Sequence, residues 1–185
     1  MTVAGLVLAA GAGRRFGGPK ALVEFGGERL VDRAVRVVSA GGCAPVVVVA
    51  GAAPLDVPGA LVVDNPDWAT GMGSSLRTGL AALCGPATAA LIILVDTPGL
   101  GPDAVRRLVH AHHAGAELAV ATYGGERGHP VLLGRSHWAA AAASAVGDRG
   151  ARWYLASRRD AVVEVDCTGT GDPRDVDDPA DLGRS

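Results

Sequence analysis

The sequence predicts a single-domain, three-layer α/β/α fold with a Rossmann-like, mostly parallel central sheet. Three observations predict it. Short apolar runs recur along the 185 residues, segments with helical spacing lie between them, and the runs are continuously apolar rather than alternating. Continuous apolarity suits strands whose sheet is covered on both faces, and alternating strands and helices indicate parallel crossover units. The length fits one domain over residues 1–185.

Seven strands and four helices can be placed along the chain. The predicted strands are residues 3–9, 46–50, 61–63, 89–95, 118–121, 131–133 and 162–165. The predicted helices are residues 30–39, 74–83, 103–113 and 136–145. Pro102 directly before Asp103 is typical of a helix start. Residues 168–178 are polar and rich in turn formers, which predicts a surface loop before a short terminal element.

Composition excludes several classes of function. The 17 basic and 19 acidic side chains give a net charge of −2, without the basic excess that nucleic-acid binding needs. Apolar runs stay shorter than the roughly 18 residues of a membrane span, and the first run lacks the basic flank of a signal peptide. Three scattered cysteines, Cys43, Cys84 and Cys167, are typical of reduced thiols. We therefore expect a cytoplasmic protein that contacts neither nucleic acid nor membrane.

The stretch LVLAAGAGRRFGGPKAL, residues 6–22, joins the first strand to a glycine-rich, basic loop. Its glycines begin like a dinucleotide-binding fingerprint at Gly11. However, Phe16 stands where that fingerprint needs a small residue for close packing of helix on strand. The strand 46–50 also ends without the acidic residue that would bind a ribose hydroxyl. The sequence therefore disfavours a dinucleotide site.

A P-loop is disfavoured on similar grounds. Gly13 and Gly18 have the P-loop spacing, but Pro19 separates Gly18 from Lys20. Ala21 stands where a P-loop needs Ser or Thr to hold magnesium.

Two interpretations of the loop stay open. Backbone N–H groups of the glycines could wrap an oligophosphate, with Arg15 and Lys20 supplying positive charge. Alternatively, the segment is a surface turn with solvated basic side chains.

Six segments occur in an order typical of one known family. They are LAAGAGRRFGGPK at 8–20, NPDWATGMGSSLRTGL at 65–80, LVDTPGL at 94–100, GHPVLL at 128–133, GDRGAR at 147–152 and DVDDP at 175–179. Together they resemble the MobA-like nucleotidyltransferases, and the branch they resemble most is the molybdenum cofactor cytidylyltransferases. Gly13 and Asp178 depart from the family pattern, which usually has Ser and Thr there. The resemblance implies a fold of the nucleotide-diphospho-sugar transferase type.

The resemblance also implies a reaction. A phosphorylated acceptor would attack the α-phosphate of a nucleoside triphosphate, and pyrophosphate would leave. Arg15, Lys20 and Asp96 would be the catalytic residues, and Asp96 and Asp177 would hold Mg²⁺. For Asp177, which lies in an acidic loop, a purely structural role stays open.

The same resemblance implies residues that bind the two substrates. The nucleotide would contact Arg15 and Lys20 together with Leu8, Ala9, Ala10, Gly11, Gly13, Asn65, Gly71, Ser74 and Ser75. The acceptor would contact His129 and Asp148. Helix capping by Ser74 and a structural role for His129 stay open. His110, His112 and His113 are interpreted as a solvated helix face rather than a metal site.

The L-A-A-G opening further limits the choice of substrates. This opening resembles family members that use CTP, so Ala10 favours CTP over GTP. Molybdopterin is the favoured acceptor, and the resemblance leaves open whether a molybdoenzyme or a chaperone receives the product. Two alternatives remain: a transferase that uses GTP or acts on a sugar phosphate or another cofactor precursor, and a non-catalytic module that binds nucleotide or cofactor.

Overall fold

The computed structural model describes residues 1–83 and 85–184. The strands within these residues are β1 Thr2–Leu8, β2 Glu24–Phe25, β3 Glu28–Arg29, β4 Val46–Ala50, β5 Leu61–Asp64, β6 Ala87–Leu94, β7 Leu118–Tyr123, β8 Glu126–Gly134 and β9 Val163–Asp166. The α-helices are α1 Leu30–Ala40, α2 Met72–Ala82, α3 Pro102–His113, α4 Trp138–Ser144 and α5 Ala151–Ala156.

The main sheet contains seven strands in the order β5-β4-β1-β6-β8-β7-β9. β1 runs parallel to its neighbours β4 and β6, and β7 runs parallel to β9. β8 is antiparallel to both β6 and β7. The predicted α/β class with a mostly parallel sheet is confirmed. The direction of β8 could not be predicted, because a buried apolar run has the same composition in either direction.

Helices cover both faces of this sheet, as a three-layer fold requires. Side chains alternate along β1, so Val3 and Val7 pack on one face with residues of α1 and α3. Leu6 and Leu8 pack on the other face with residues of α2, α4 and α5. The continuous apolarity of β1 therefore reflects burial on both sides.

The predicted elements differ from the observed ones mainly at their ends. The helix predicted at 74–83 begins at Met72, and the segment predicted at 136–145 starts as a 3-10 turn, Arg135–His137, before α4. Helix α5 and the β2–β3 hairpin were not predicted. Both are too short to show a clear hydrophobic period, since α5 has six residues and each hairpin strand has two.

The histidine-rich end of α3 is only partly solvated, so the prediction for it was wrong for His112. His110 and His113 are exposed, whereas His112 is 2% exposed. Its ring nitrogens lie 3.0 Å from the Thr88 hydroxyl and 2.8 Å from the Ala116 carbonyl. These two partners satisfy the buried imidazole, and they come from neighbouring elements that a helix pattern does not reveal.

Cys43 and Cys167 are buried free thiols, and Cys84 lies outside the described residues. Burial raises the pKa of Cys43 to about 12 and that of Cys167 to about 11. Both are therefore protonated and unreactive at neutral pH. No helix in the described part of the chain is both long and apolar enough to cross a bilayer.

Candidate active site

A cleft of about 430 Å³ opens at the carboxyl ends of β1 and β6. These strands are neighbours, and their last residues, Leu8 and Leu94, are paired. The glycine-rich loop leaves β1 at this edge, and Asp96 follows β6 by two residues. Open parallel sheets bind ligands at this edge, so the strand order alone brings the two predicted segments together.

The glycine-rich loop folds around the carbonyl oxygen of Gly13. The N–H groups of Phe16, Gly17 and Gly18 donate to that oxygen at 2.9, 3.0 and 3.2 Å. Gly13 has φ +56°, and a Cβ there would collide with the carbonyl oxygen of Gly18. This position therefore needs glycine both for its backbone angle and for space.

The loop differs from the two phosphate-binding motifs that the sequence disfavoured. In both of those motifs, a helix begins directly after the loop and directs its N-terminus at the phosphates. Here the loop leads into a three-residue 3-10 turn, Lys20–Leu22, and α1 begins only at Leu30. An anion bound at this loop would therefore have to be held by the loop's own N–H groups and basic side chains rather than by a helix N-terminus. Arg15 suits this role because its side chain is 79% exposed.

Lys20 is the centre of an ion cluster at the base of the cleft. Its Nζ lies 3.1 Å from Asp96 Oδ2 and 3.1 Å from Asp177 Oδ1. Arg15 approaches the same Asp177 oxygen at 3.4 Å. The N–H of Val176 donates to the Asp96 carbonyl at 2.8 Å, which holds the closing segment against the end of β6. Three predicted site residues from distant parts of the chain thus meet at one ammonium group.

The pKa values of this cluster reflect its partial burial. Burial raises the pKa of Asp96 above its ordinary value, and attraction to Lys20 opposes that rise only in part. Burial acts to lower the pKa of Lys20, but the carboxylates of Asp96 and Asp177 outweigh it and the pKa is raised. Lys20 is therefore firmly protonated, while an ionised Asp96 needs a cation beside it.

The two carboxylates fit a magnesium ion. Asp96 Oδ1 is buried without a hydrogen-bond partner among the described residues, so it has a free coordinating position. Mg²⁺ is commonly held by one or two carboxylates plus water and substrate phosphates. The described residues contain no group of three or more His, Cys, Asp or Glu side chains that could hold a metal alone. Asp96 and Asp177 would thus supply the protein ligands, and the phosphates would supply others.

One wall of the cleft is the start of α2. Gly71 and Ser75 line the cleft there. Asn65 is 2% exposed, and its Nδ2 donates to the hydroxyls of Ser74 and Ser75 at 2.8 and 3.1 Å. Its Oδ1 accepts from the Asp67 N–H at 3.0 Å. Asn65 therefore stabilises this wall through hydrogen bonds on its buried side.

The hydroxyl of Ser74 is held by backbone groups of its own segment. It lies within hydrogen-bond distance of the carbonyl oxygens of Gly71 and Asp67, at 2.9 and 3.0 Å. Of the open interpretations for Ser74, these contacts favour a local structural role.

A second pocket of about 300 Å³ adjoins the cleft. His129 and Asp148, the two predicted acceptor residues, both line it. Leu8, Met72, Leu94 and Asp148 line both cavities. The two cavities therefore share a boundary at these residues.

The structure brings most predicted site residues to the main cleft. Those lining it are Leu8, Ala10, Gly11, Gly13, Arg15, Lys20, Gly71, Ser75, Asp96, Asp148 and Asp177. Ala9, Asn65 and Ser74 are buried and lie outside the lining. The sequence reasoning missed Trp68 and Met72, which line the cleft. Both lie in the 65–80 segment, and the resemblance of that segment to the family pattern could have identified them.

The chain is similar in sequence and in structure to several known proteins. The chain is 38% identical over 189 residues to nicotine blue oxidoreductase from Paenarthrobacter nicotinovorans, covering 95% of this chain and 92% of that protein. Its structure is similar to the crystal structure of Rv0371c from Mycobacterium tuberculosis H37Rv, with a TM-score of 0.84 and 29% identity over 100% of this chain and 97% of that chain. Rv0371c has also been crystallised in complex with manganese, and that structure matches with a TM-score of 0.77 and 28% identity over the same shares.

A more distant structure shares the fold alone. It is 2-C-methyl-D-erythritol 4-phosphate cytidylyltransferase from Thermus thermophilus, which matches with a TM-score of 0.75 and 20% identity over 100% of this chain and 97% of that chain.

The family assignment follows from a match over most of the sequence. The MobA-like NTP transferase domain matches residues 5–162, a span that includes the glycine-rich loop, Lys20, Asp96 and the second pocket. Asp177 lies beyond that span. The chain therefore belongs to the MobA-like NTP transferase family.

Proposed function

We propose that this protein is a Mg²⁺-dependent nucleotidyltransferase that moves CMP from CTP onto a phosphorylated small molecule and releases pyrophosphate. The proposed acceptor is molybdopterin. One observation carries the proposal. The Lys20 ammonium and two carboxylates, Asp96 and Asp177, meet in a cleft walled by a basic, glycine-rich loop. That combination suits a triphosphate and its counter-ion.

The protein needs no covalent bond to its substrates in this reaction. An acceptor phosphate oxygen forms a bond to the α-phosphorus as the bond from that phosphorus to the leaving pyrophosphate breaks. Arg15 and those loop N–H groups that do not donate to Gly13 would hold the outer phosphates, and Lys20 would bind phosphate oxygens that gain charge. Mg²⁺ held by Asp96 and Asp177 would neutralise further negative charge. The remaining acceleration comes from alignment of the two substrates.

The acceptor would occupy the second pocket. His129 and Asp148 line that pocket, and Asp148 also reaches the main cleft. An acceptor seated there would present its phosphate across the shared boundary. Leu8 and Leu94 form part of this boundary at the ends of β1 and β6.

The preference for CTP rests on the L-A-A-G opening. Ala10 lines the cleft and is 5% exposed, so its methyl group is a fixed part of the wall. A Cβ at Gly51 would lie 2.6 Å from Trp68 Cβ and 2.7 Å from Ala10 Cβ. Glycine at this position thus lets Ala10 and Trp68 approach closely, and their spacing would limit the size of the base.

Pyrophosphate release is the test. The protein is incubated with Mg²⁺, an acceptor and one of CTP, GTP, ATP or UTP, with molybdopterin and a set of sugar phosphates as separate acceptors. Release should be fastest with CTP and molybdopterin, and Asp96→Asn should abolish it. Asp103→Asn is the matched control, because Asp103 is exposed, lies outside the cleft lining and pairs with Arg106 in α3. Release no greater than that of Asp96→Asn with every nucleotide and acceptor would contradict the proposal.

Thermal unfolding with each nucleotide and Mg²⁺ separates catalysis from binding alone. A nucleotide that binds the folded state raises its apparent stability. A non-catalytic module would be stabilised by nucleotide without releasing pyrophosphate.

A second candidate function is an oxidation–reduction. It is favoured by the 38% identity to a protein named nicotine blue oxidoreductase. The loop geometry disfavours a dinucleotide cofactor, because it leads into a 3-10 turn instead of a helix. The same preparation should therefore be assayed for oxidation of NADH and NADPH with a dye as electron acceptor. Oxidation that depends on the protein, without pyrophosphate release, would replace the proposed function with this one.

A further inference from the structure

The second pocket is mainly apolar, with a few polar groups at defined places. Its apolar lining comes from the ends of β1 and β6 and from α2 and α5, namely Leu8, Ile92, Leu94, Met72, Ala151 and Trp153. The polar groups are His129, Asp148, Arg149 and Arg152. Small-molecule sites have this character: apolar walls give affinity, and a few polar groups set orientation.

His129 is the most buried polar group in that lining. Its residue is 6% exposed, and its Nδ1 lies 3.3 Å from the backbone carbonyl oxygen of Ile92. A carbonyl oxygen only accepts hydrogen bonds, so Nδ1 must carry the proton. In a neutral imidazole, the other nitrogen, Nε2, then bears a lone pair and can only accept.

The imidazole is neutral because it is buried. Burial lowers the pKa of His129 to about 4; Arg152 also lowers it, while the Ile92 carbonyl and Asp175 oppose this shift. The backbone around the ring is fixed as well, because the Tyr123 hydroxyl donates to the His129 carbonyl at 2.9 Å.

The acceptor atom of this ring lacks a partner within the described structure. His129 Nε2 is buried and makes no hydrogen bond to any described residue. Buried polar groups without partners are rare in folded proteins, and each costs stability. In an imidazole that lines a cavity, such an atom indicates a ligand group that completes the hydrogen bond.

We propose that His129 is a specificity-determining residue that accepts a hydrogen bond at Nε2 from an O–H or N–H group on a flat, uncharged ring of the acceptor. This inference rests on the proposed function, since it names the acceptor chemistry. The apolar walls select the flat ring. A ring bearing only a carbonyl oxygen at that position would face the Nε2 lone pair and be repelled.

The charges at the pocket mouth suit the other end of such a molecule. The Arg149 guanidinium stacks over the Trp153 ring at 4.2 Å from its centroid, and Trp153 is 51% exposed. Arg149 and Arg152 thus place positive charge at the pocket, where it would attract a phosphorylated acceptor. The two arginines would therefore help to bind a phosphorylated acceptor whose ring contacts His129.

The test uses two probes that differ in one donor, indazole and 1-methylindazole. Calorimetric titration of the full-length protein, without nucleotide or metal, should show indazole binding at least about 10-fold more tightly. In protein labelled with ¹⁵N at histidine, indazole should shift the Nε2 resonance of His129 and 1-methylindazole should leave it nearly unchanged. The spectrum reports on wild-type protein, so it needs no variant that folds.

His129→Phe should remove the preference by binding the two probes with similar affinity. His113→Phe is the control, because His113 is exposed on α3 and should keep the preference. Equal affinities in the wild type, a preference that persists in His129→Phe, or no binding of either probe would each overturn the inference. Because nucleotide is absent, the result is independent of the pyrophosphate assay: release without a probe preference overturns only this inference, and a preference without release overturns only the proposed function.

Discussion

Lys20 Nζ lies 3.1 Å from Asp96 Oδ2, although 76 residues separate them in the sequence. The same ammonium lies 3.1 Å from Asp177 Oδ1 in the closing segment. A single cation therefore joins the glycine-rich loop, the end of β6 and the C-terminal part of the chain. A divalent ion bound to these carboxylates would take over part of this neutralising role. Lys20 would then be released towards the phosphates.

Replacement of Lys20 with Met should destabilise the protein and strengthen metal binding. Asp96 would lose its cation and Asp177 would keep only Arg15, which should lower the free energy of unfolding by about 1–3 kcal/mol. Manganese should bind several-fold more tightly without nucleotide, because a competing charge has been removed. Urea unfolding in metal-free buffer and electron paramagnetic resonance of Mn²⁺ measure the two effects. Lys20→Arg keeps the charge and is the control. An unchanged Mn²⁺ affinity in Lys20→Met would contradict the idea that Lys20 and the metal ion compete for these carboxylates.

Replacement of Gly13 with Ala should disrupt the loop while leaving the sheet intact. Alanine is strained at φ +56°, and its Cβ would collide with the Gly18 carbonyl oxygen. The affinity for CTP with Mg²⁺ should fall at least about 10-fold, in line with a backbone penalty of roughly 1–3 kcal/mol. Gly18→Ala is the matched control, because a Cβ there meets no atom within 4 Å and Gly18 is not at positive φ. Calorimetric titration compares them, and equal losses in both variants would contradict the steric argument.

Replacement of Asn65 with Ala should weaken the cleft wall from behind. It would remove the partner of the Ser75 hydroxyl and of the Asp67 N–H, while the Ser74 hydroxyl would keep its contacts with backbone carbonyls. The free energy of unfolding should fall by about 1–3 kcal/mol, measured in urea. Thr70→Ala removes an exposed hydrogen bond to Asp67 in the same segment and should cost less than about 0.5 kcal/mol. Equal stability of the two variants would show that Asn65 does not anchor the wall.

The strands of the fold could be predicted because a strand that is buried on both faces has an apolar residue at nearly every position. The runs at 46–50 and 118–121 are apolar throughout, and both are interior strands of the seven-stranded sheet, each beside an edge strand. No comparable sequence pattern predicts the direction of β8 or the presence of α5. Strand direction depends on how a connection crosses the sheet, and six residues are too few to show a helical period.

The meeting of Lys20, Asp96 and Asp177 was expected only through resemblance to a family. Spacing along the chain does not show that Asp177 packs against the end of β6, because the bond from Val176 N–H to the Asp96 carbonyl joins residues far apart in the sequence. The position of Asn65 behind the wall and the burial of His112 were missed for a related reason. Both depend on hydrogen bonds to side chains or carbonyls of other elements, which no local pattern encodes.

The stability of the protein should fall in mild acid because of His129. Burial lowers the pKa of His129 to about 4 in the folded state, from 6.5 for an ordinary histidine. The unfolded state therefore binds a proton more readily, so the contribution is complete above pH 6.5 and is lost as the pH falls towards 4. Arg152 opposes protonation of the ring, and Asp175 favours it. The shift corresponds to roughly 3 kcal/mol.

Comparison with a variant isolates this contribution from all other titrating groups. The free energy of unfolding of the wild type minus that of His129→Phe should decrease by roughly 3 kcal/mol between pH 7 and pH 4. Urea unfolding at each pH measures it. His113→Phe should leave the pH dependence of the wild type unchanged, because that ring is exposed. If the free energies of unfolding of the wild type and His129→Phe changed equally with pH, the imidazole would be accessible to water. In that case, the lone pair at Nε2 would accept a hydrogen bond from water, and its lack of a protein partner would not indicate a ligand.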